Sequence, residues 1–187
     1  MEHQGAKQTF EELLHIHLNH LYRFALYLTR KESDAEDLVQ DTCMRALRFF
    51  HQFEVGTNFK AWIFTIMNHA HLSEQKRRSR EKDWLSSGKP TELASYLDEQ
   101  GQAENPEVLL LKSIPDAEVQ KALRSLPEEF RSAIVLCDVE EMTYSEIADI
   151  LHCPIGTVRS RIARARRQLH TLLYNYARRE GIVRKAR

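Results

Sequence analysis

The first fifty residues carry apolar side chains at the three- and four-residue spacing that places them on one face of an α-helix. The set that predicts a first helix, from about residue 10 to residue 29, is Leu14, Leu18, Leu21, Ala25 and Leu28. Ser33 and Glu36 then have the spacing of a capping box, in which the serine and the glutamate each bond a free backbone N–H at the helix start. A second helix is therefore predicted from near Asp34 to about His51.

A third helix is predicted after the break in the apolar pattern at Gly56, with Asn58 placed to cap it. Its apolar face comprises Phe59, Trp62, Ile63, Ile66 and Ala70, and its far end carries Lys76, Arg77, Arg78 and Arg80. From about residue 81 to residue 115 the helical period is lost and Ser, Gly and Pro accumulate. We interpret that stretch as a linker.

Helical periodicity returns after Pro115, where two short helices are predicted on either side of Pro127. Thr143 and Glu146 form a second capping box, and Pro154 interrupts the helix that they open. The pattern resumes with Ile155, Val158, Ile162, Ala165 and Leu169. A short helix, a turn and a longer helix in this order predict a helix-turn-helix.

The predicted fold class is therefore all-α. No alternating strand pattern and no internal repeat is found. We expect two helical domains joined by a flexible linker, the C-terminal one containing the helix-turn-helix. The predicted limits are residues 1–82 for the first domain, 83–115 for the linker and 116–187 for the second domain.

Charge is distributed unevenly although the chain has 27 basic and 27 acidic residues among its 187. Residues 155–187 hold ten basic side chains and one acid, whereas residues 116–154 hold three basic side chains and nine acids. A split of this kind predicts an anion-binding segment beside a face that meets a different partner.

The last predicted helix has the composition of a DNA-reading helix. Its outward face carries Thr157, Arg159, Ser160, Arg161, Arg164 and Arg167. Arginine pairs bidentately with guanine edges in the major groove, while hydroxyl groups and other cations hold phosphates. The alternative is a solvated basic helix in an ordinary helical hairpin.

Two other surfaces allow both a functional and a structural interpretation. Aromatic side chains cluster around the start of the third helix, at Phe53, Phe59, Trp62 and Phe64, near a basic helix end. Aromatic faces with cations bind single-stranded nucleic acid, but aromatics at helical spacing also build cores. The second helix begins with Asp34, Glu36, Asp37 and Asp41, which either complement the helix dipole or form an interaction face.

No catalytic or metal-binding chemistry is predicted. Of the closely spaced histidines only His17 and His20 can share a helix face, and no cysteine or carboxylate completes a ligand set with them. The three cysteines form no C-x-x-C pair, which indicates a reducing compartment. The sequence has no apolar run of about 20 residues and no signal-peptide pattern, so we expect a cytoplasmic protein without membrane insertion. We therefore expect no enzyme activity and no cofactor.

Four segments together resemble the extracytoplasmic-function sigma factors, the group 4 members of the sigma-70 family. They are residues 34–41 (DAEDLVQD), 56–66 (GTNFKAWIFTI), 126–131 (LPEEFR) and 144–161, which contains YSEIADIL and PIGTVRSR. The resemblance covers nearly everything except the linker and the chain ends, in the family's order. It implies a specificity subunit of RNA polymerase that directs promoter-specific initiation.

The resemblance also implies roles for individual residues. The residues that it implies for docking on core RNA polymerase lie in the second helix and are Asp37, Gln40, Asp41 and Arg45. Contacts with promoter DNA at the minus-ten element fall to Phe53, Asn58, Phe59, Trp62 and His69, with Lys76, Arg77 and Arg78 along the phosphates. Contacts at the minus-thirty-five element fall to Thr157, Arg159, Ser160, Arg161 and Arg164. Both DNA contacts are expected at once, on two units held apart by the polymerase.

Three positions depart from the family pattern. His69 replaces a usual asparagine near the minus-ten pocket, His152 replaces a glycine at the helix-turn-helix turn, and Cys43 replaces an aromatic. The segment 56–62 is similar to a branch whose anti-sigma partners bind zinc, so an anti-sigma factor of that kind is an expected partner.

Two other hypotheses use the same helices. A stand-alone transcription factor would bind duplex DNA without polymerase. An interaction module would copurify with a small helical partner and use its basic tail for solubility only.

Overall fold

The computed structural model describes residues 2–86 and 117–182. The N-terminal part contains α1 (Glu2–Thr29), α2 (Glu32–Phe49), a 3-10 turn (Phe50–Gln52) and α3 (Phe59–Ser86). The C-terminal part contains α4 (Ala117–Ser125), α5 (Glu128–Ile134), a π-helical turn (Val135–Val139), α6 (Tyr144–Leu151) and α7 (Ile155–Arg179). No strand occurs in these two ranges, and the all-α prediction is confirmed. The predicted linker lies almost entirely outside the described residues.

The N-terminal domain packs α1, α2 and α3 around aromatic and aliphatic side chains. Phe24 of α1 stacks on Phe64 of α3 with ring centroids 5.3 Å apart, and Leu21, Ile63 and Met67 are fully buried beside them. Burial of each such side chain stabilises the fold by about 1.5–3 kcal/mol. Of the apolar face that the sequence predicts for α3, Phe59, Ile63 and Ala70 are buried, whereas Trp62 and Ile66 are partly buried. Phe64 and Met67, which the prediction left out, complete the buried face.

The start of α2 differs from the prediction. The helix begins at Glu32, with Lys31 in the N-cap position and no side-chain cap, so the predicted capping box at Ser33 and Glu36 does not form. Arg30 adopts a left-handed conformation (φ 67°) and turns the chain early, and the Ala35 amide already bonds the Lys31 carbonyl. Ser33 therefore lies inside the first turn instead of at its entrance.

The helix-turn-helix is built as predicted. Thr143 and Glu146 form the capping box of α6, and Pro154 is the N-cap of α7. His152 closes α6 in the left-handed conformation (φ 48°, ψ 49°), where glycine is the preferred residue. Val158, Ile162 and Ala165 anchor α7 in the domain core, so its other side faces outward.

The two domains are in contact, which the sequence did not indicate. Helix α3 packs on α6, and α1 packs on α5, so buried apolar side chains of both domains form one cluster. Arg131 is 1% exposed and donates from its Nε to the Tyr27 carbonyl of the other domain at 2.6 Å. The sequence left the arrangement of the two domains in the free chain open, and the structure places them in direct contact.

Candidate nucleic-acid interface

Helix α7 presents the surface that we call the duplex face, formed by Thr157, Arg159, Ser160, Arg161 and Arg164. Arg159, Ser160 and Arg164 are exposed, while Thr157 and Arg161 are half-buried. The three exposed side chains follow the first turn of α7, directly after the turn that Pro154 ends. This row of outward-facing cations and hydroxyl groups is arranged as recognition helices in the major groove require.

Two arginines of α7 are engaged by carboxylates of their own domain. Arg161 donates to Glu129 at 3.0 Å, and Arg166 donates to Asp138 at 2.7 Å. The Asp138 contact raises the pKa of Arg166 above its ordinary value. Exposed ion pairs of this kind contribute at most about 1 kcal/mol, so Arg161 can leave Glu129 for a DNA phosphate at small cost.

The aromatic side chains before α3 form a packed cluster. Phe53 and Phe59 are 8% and 4% exposed, and their ring centroids lie 5.4 Å apart. Trp62 is partly buried, with its ring 5.0 Å from Phe53. In this conformation Phe53 and Phe59 support the loop from inside, and Trp62 is the member of the three that stays partly exposed.

Four polar or basic side chains define a surface that we call the strand face: Asn58, Lys60, Asn68 and His69. Asn58 caps α3 as predicted, with its Oδ1 accepting from the Ala61 amide at 3.0 Å, and its amide nitrogen donates to Glu146 of α6. Asn68 is buried and donates to the Ile150 carbonyl at 2.8 Å. Asn58 and Asn68 of the strand face thus both contact α6, which belongs to the other domain.

His69 lies flat against His152, with ring centroids 4.3 Å apart and planes 9° from parallel. Their Nε2 atoms contact each other. Burial, and then the neighbouring His152, lower the pKa of His69. The two positions that depart from the family pattern at the minus-ten pocket and at the helix-turn-helix turn are therefore partners of each other.

The basic end of α3 is internally compensated. Lys76, Arg77 and Arg78 are all exposed, but Glu74 accepts from both arginines at 2.8 Å, and Asp34 of α2 accepts from Arg78 at 3.2 Å. These hydrogen bonds lower the pKa of Glu74 to about 2. Glu74 thus reduces the positive charge that Arg77 and Arg78 present.

The outward side of α2 carries the four residues expected at the polymerase, Asp37, Gln40, Asp41 and Arg45. The first three are exposed, and Arg45 donates from its Nε to both carboxylate oxygens of Asp41 at 2.9 Å. Met44 lies beside them and is 60% exposed. Sequence reasoning missed Met44, although an apolar residue three positions after Asp41 on an outward stripe indicates a contact surface.

Glu140 is a second residue that sequence reasoning did not single out. It follows the π-helical turn and is 2% exposed. Its carboxylate bonds His20 Nδ1 at 2.8 Å and Arg23 at 2.8 and 3.0 Å, and it lies 3.2 Å from Lys60 Nζ. The only sequence signal was the acidic excess of residues 116–154, which does not distinguish Glu140 from eight other acids.

The cysteine thiols are not activated. Burial raises the pKa of Cys43, and burial together with Asp138 raises the pKa of Cys137 to about 11, which favours the less reactive thiol over the thiolate. In the part of the chain that the structure describes, no three His, Cys, Asp or Glu side chains are placed to hold a metal ion. Across residues 2–86 and 117–182 no helix has the length and apolar character needed to cross a membrane.

Family models match both domains. The model of sigma-70 region 2 matches residues 13–81, and the model of sigma-70 region 4 matches residues 116–169. The first range contains the outward side of α2 and the strand face, and the second range contains the duplex face. The two matched segments follow each other in the order that the motifs predicted.

Curated relatives and solved structures agree with these matches. The chain is 37% identical over 93% of its length to the ECF RNA polymerase sigma factor SigE of Mycolicibacterium smegmatis, of which it spans 65%, and 34% identical over 82% of its length to the ECF sigma factor EcfG of Rhodopseudomonas palustris, of which it spans 79%.

Among solved structures, the sigma factor RpoE in complex with the anti-sigma factor NepR from Bartonella quintana matches with a TM-score of 0.70 and 35% identity, over 89% of this chain and 98% of that one. CnrH in complex with the cytosolic domain of CnrY matches with a TM-score of 0.61 and 26% identity, over 92% and 94% of the two chains.

Proposed function

Because the chain belongs to the sigma-70 family, in its extracytoplasmic-function group, we propose that it directs core RNA polymerase to promoters through their minus-ten and minus-thirty-five elements. The observation that carries the proposal is the exposed row of Arg159, Ser160 and Arg164, directly after a capped helix-turn-helix turn. The same chain carries a separate outward surface on α2 for a protein partner. A protein of this design gives the polymerase its promoter specificity and carries out no catalytic step of its own.

The duplex face is assigned to the minus-thirty-five element. Arg159 and Arg164 are placed to reach base edges or phosphates of the major groove, and Thr157 and Ser160 supply hydroxyl groups for phosphates. Arg161 joins them after releasing Glu129. Each arginine that reads a base contributes about 1–3 kcal/mol of discrimination.

The N-terminal domain is assigned to the melted minus-ten strand. Asn58, Trp62 and His69 are its contacts for flipped or unstacked bases, because an aromatic edge with amide and imidazole groups suits single-stranded DNA. Phe53 and Phe59 hold the loop in shape from inside. Lys76, Arg77 and Arg78 lie along the phosphates, with Glu74 limiting the contribution of the two arginines.

The outward side of α2 is assigned to core polymerase. Asp37, Gln40 and Asp41 are exposed, and the Asp41–Arg45 pair fixes two charges in one geometry. Met44 adds apolar area at the centre of this charged rim, which is the pattern of protein interfaces. Mixed charges around an apolar centre give orientation and specificity to the complex.

Control by an anti-sigma factor is part of the proposal. It is supported by the likeness to RpoE, whose solved complex contains the anti-sigma factor NepR. Whether the partner of this chain binds zinc depends on the resemblance of residues 56–62 alone. We place the activity in the cytoplasm, where core polymerase works.

The test is reconstitution with bacterial core polymerase on candidate promoters, followed by measurement of specific transcripts. We expect the chain to start transcripts that core polymerase alone does not start. Asp41→Ala should weaken core binding at least tenfold, whereas the control Glu12→Ala, which removes an exposed carboxylate from α1, should bind as wild type. Duplex binding without any stimulation of polymerase would support the stand-alone transcription factor instead.

A further inference from the structure

A pair of solvent-exposed histidines, His69 and His152, bridges the two domains. We propose that this pair is a binding site for a divalent transition-metal ion of the class that prefers imidazole nitrogen, to which zinc, nickel and copper belong. One ligand comes from α3 and the other from the turn that ends α6. Both residues depart from the family pattern, so the site is a property of this chain and not of the family.

The two side chains converge through the same ring atom. Nε2 of His69 contacts Nε2 of His152, although the residues lie 83 positions apart in the chain. In a neutral imidazole one ring nitrogen carries a hydrogen and the other a lone pair, so a direct contact of two Nε2 atoms needs one of them as donor. A bound ion instead accepts a lone pair from each.

Small side-chain movements make room for the ion. Zinc binds imidazole nitrogen at about 2.0–2.1 Å, so two nitrogens on one tetrahedral ion lie about 3.3 Å apart. Both side chains are exposed, and rotation of either ring can separate the two Nε2 atoms to that distance. Solvent also reaches the pair, which gives the ion its entry path.

The backbone holds both rings near each other. Beside His69, the buried Asn68 donates to the Ile150 carbonyl at 2.8 Å, which ties this turn of α3 to the end of α6. His152 has φ 48° and ψ 49°, a left-handed conformation that is unfavourable for a residue with a Cβ atom. Strained residues are concentrated at ligand-binding positions. A role as metal ligand explains why this position carries an imidazole.

The protonation state of His69 suits a metal ligand. Metal ions bind the neutral form of imidazole, so they compete with protons for the ring nitrogen. Burial, and then the neighbouring His152, lower the pKa of His69. The neutral ring is therefore the prevailing form at neutral pH.

The pair differs from a structural metal site in the number of its ligands. Among residues 2–86 and 117–182, no third His, Cys, Asp or Glu side chain joins the two histidines in a metal-binding group. Water must complete the coordination from the exposed side, as it does at open zinc sites. We therefore expect reversible binding, weaker than at a site with four protein ligands.

Binding of the ion is linked to the contact between the domains. We call the packing of α3 on α6 the closed arrangement. Because each domain supplies one ligand, the ion binds this arrangement more tightly than separated domains and should stabilise it. A rise in melting temperature on addition of metal is the expected sign of this linkage.

Two variants each remove one ligand. His69→Asn and His152→Gly introduce the residue that the family usually has at each position. His152→Gly also places glycine at the left-handed position, so it should fold at least as stably as wild type. The matched control is His170→Asn, which removes an exposed histidine of α7 outside the pair.

The experiment titrates zinc chloride into each full-length protein in a calorimeter, after removal of metal with a chelator and without a histidine tag. We expect wild type and the control to bind zinc alike, and each ligand variant to bind it at least about tenfold more weakly. The zinc-dependent rise in melting temperature should be lost in the same two variants.

Three results would overturn the proposal. They are a wild-type protein that binds no zinc, equal affinity in all four proteins, and a loss in only one of the two ligand variants, since the pair would then not act as one site. Hydrogen–nitrogen correlation spectra of the histidine side chains give a second readout, in which zinc should shift Nε2 of His69 and His152 and leave His170 unchanged. No polymerase or DNA is present, so the outcome is independent of the proposed function.

Discussion

The two nucleic-acid surfaces of this chain are in opposite states. The duplex face on α7 is open, with Arg159 and Arg164 exposed, whereas the strand face on α3 is covered through Asn58, Asn68 and His69. Both surfaces are polar and both belong to matched sigma-70 regions. Under the proposed assignment, the free chain presents its duplex face while its strand face is covered.

The two states have different physical origins. The duplex face is set by local structure, because the capping box at Thr143 and the N-cap at Pro154 fix how α7 leaves the turn. The covered state of the strand face depends on contacts between residues at least 80 positions apart, such as Lys60 and Glu140. Changes to each can therefore be separated experimentally.

The largest expected effect concerns Arg131, which joins the domains from inside. Its guanidinium donates to the carbonyls of Tyr27 at 2.6 Å and Leu126 at 2.9 Å, and burial lowers its pKa to about 10, so it stays charged at neutral pH. Arg131→Ala leaves buried carbonyls without donors and a cavity, and should lower the free energy of unfolding by about 3 kcal/mol. Urea denaturation measures this loss.

The exposed Lys121→Ala on α4 is the control for Arg131 and should change stability by less than about 0.5 kcal/mol. Equal stability of the Arg131 and Lys121 variants would show that the domains do not depend on this buried link.

The next effect concerns the open surface. Arg164→Ala should weaken binding to minus-thirty-five duplex about tenfold, because one arginine contact to a base edge or phosphate is lost while folding is unaffected. Arg161→Ala should cost less, since Arg161 already shares its charge with Glu129. Fluorescence anisotropy on duplex DNA measures both.

Arg178→Ala is the matched control for Arg164. It removes an exposed arginine from the same helix, beyond the residues that the region 4 model matches. A loss at Arg178 as large as that at Arg164 would mean that the helix binds DNA through its net charge and not through the duplex face.

A smaller effect is expected at the cap of α6. Thr143→Ala removes the side chain that accepts from the Glu146 amide, and should lower stability by about 1 kcal/mol. Because α6 carries Glu146, which meets Asn58, and is followed directly by His152, which meets His69, hydrogen exchange should rise in α6 and at the start of α3 together. Ser145→Ala, one exposed position into the same helix, should leave exchange in both segments unchanged, and exchange confined to α6 would argue against coupling.

The smallest effect is a pH dependence at Glu128. Its pKa is lowered chiefly by the hydrogen bond with His71 and then by Gln75. A carboxyl group with a depressed pKa stabilises the folded state above its ordinary pKa of 4.5, and this stabilisation is lost as pH falls through the lower folded value. Thermal melts of Glu128→Gln should therefore lose part of the wild-type decline below pH 4.5.

Glu141→Gln removes a carboxylate from the same domain and should keep the wild-type decline. If Glu128→Gln kept it as well, the contact between Glu128 and α3 would not persist in solution.

The helices and the helix-turn-helix could be predicted from the sequence because their determinants are local. Periodic apolar positions, the capping residues Thr143 and Glu146 and the breaker Pro154 act within a few residues of one another. The prediction of a capping box at Ser33 was wrong for a local reason as well. The left-handed turn at Arg30 lets α2 begin at Glu32, before the predicted start near Asp34.

The closed arrangement could not be predicted because its determinants are distant. Glu140 resembles any other acid in its segment until α1 and α3 bring His20, Arg23 and Lys60 to it. The aromatic residues show the same limit, since periodicity alone cannot decide whether Phe53 and Phe59 stack on a base or fill a core, and the structure buries both.

The most direct test of the account is the distance between the two domains in the free chain and on core polymerase, measured by single-molecule energy transfer. Dyes attached through genetically encoded residues at the exposed positions Ser79 on α3 and Gln168 on α7 report it. We expect a narrow, high-transfer population for the free chain and a shift to low transfer once core polymerase binds. High transfer that persists in a transcribing complex would contradict it.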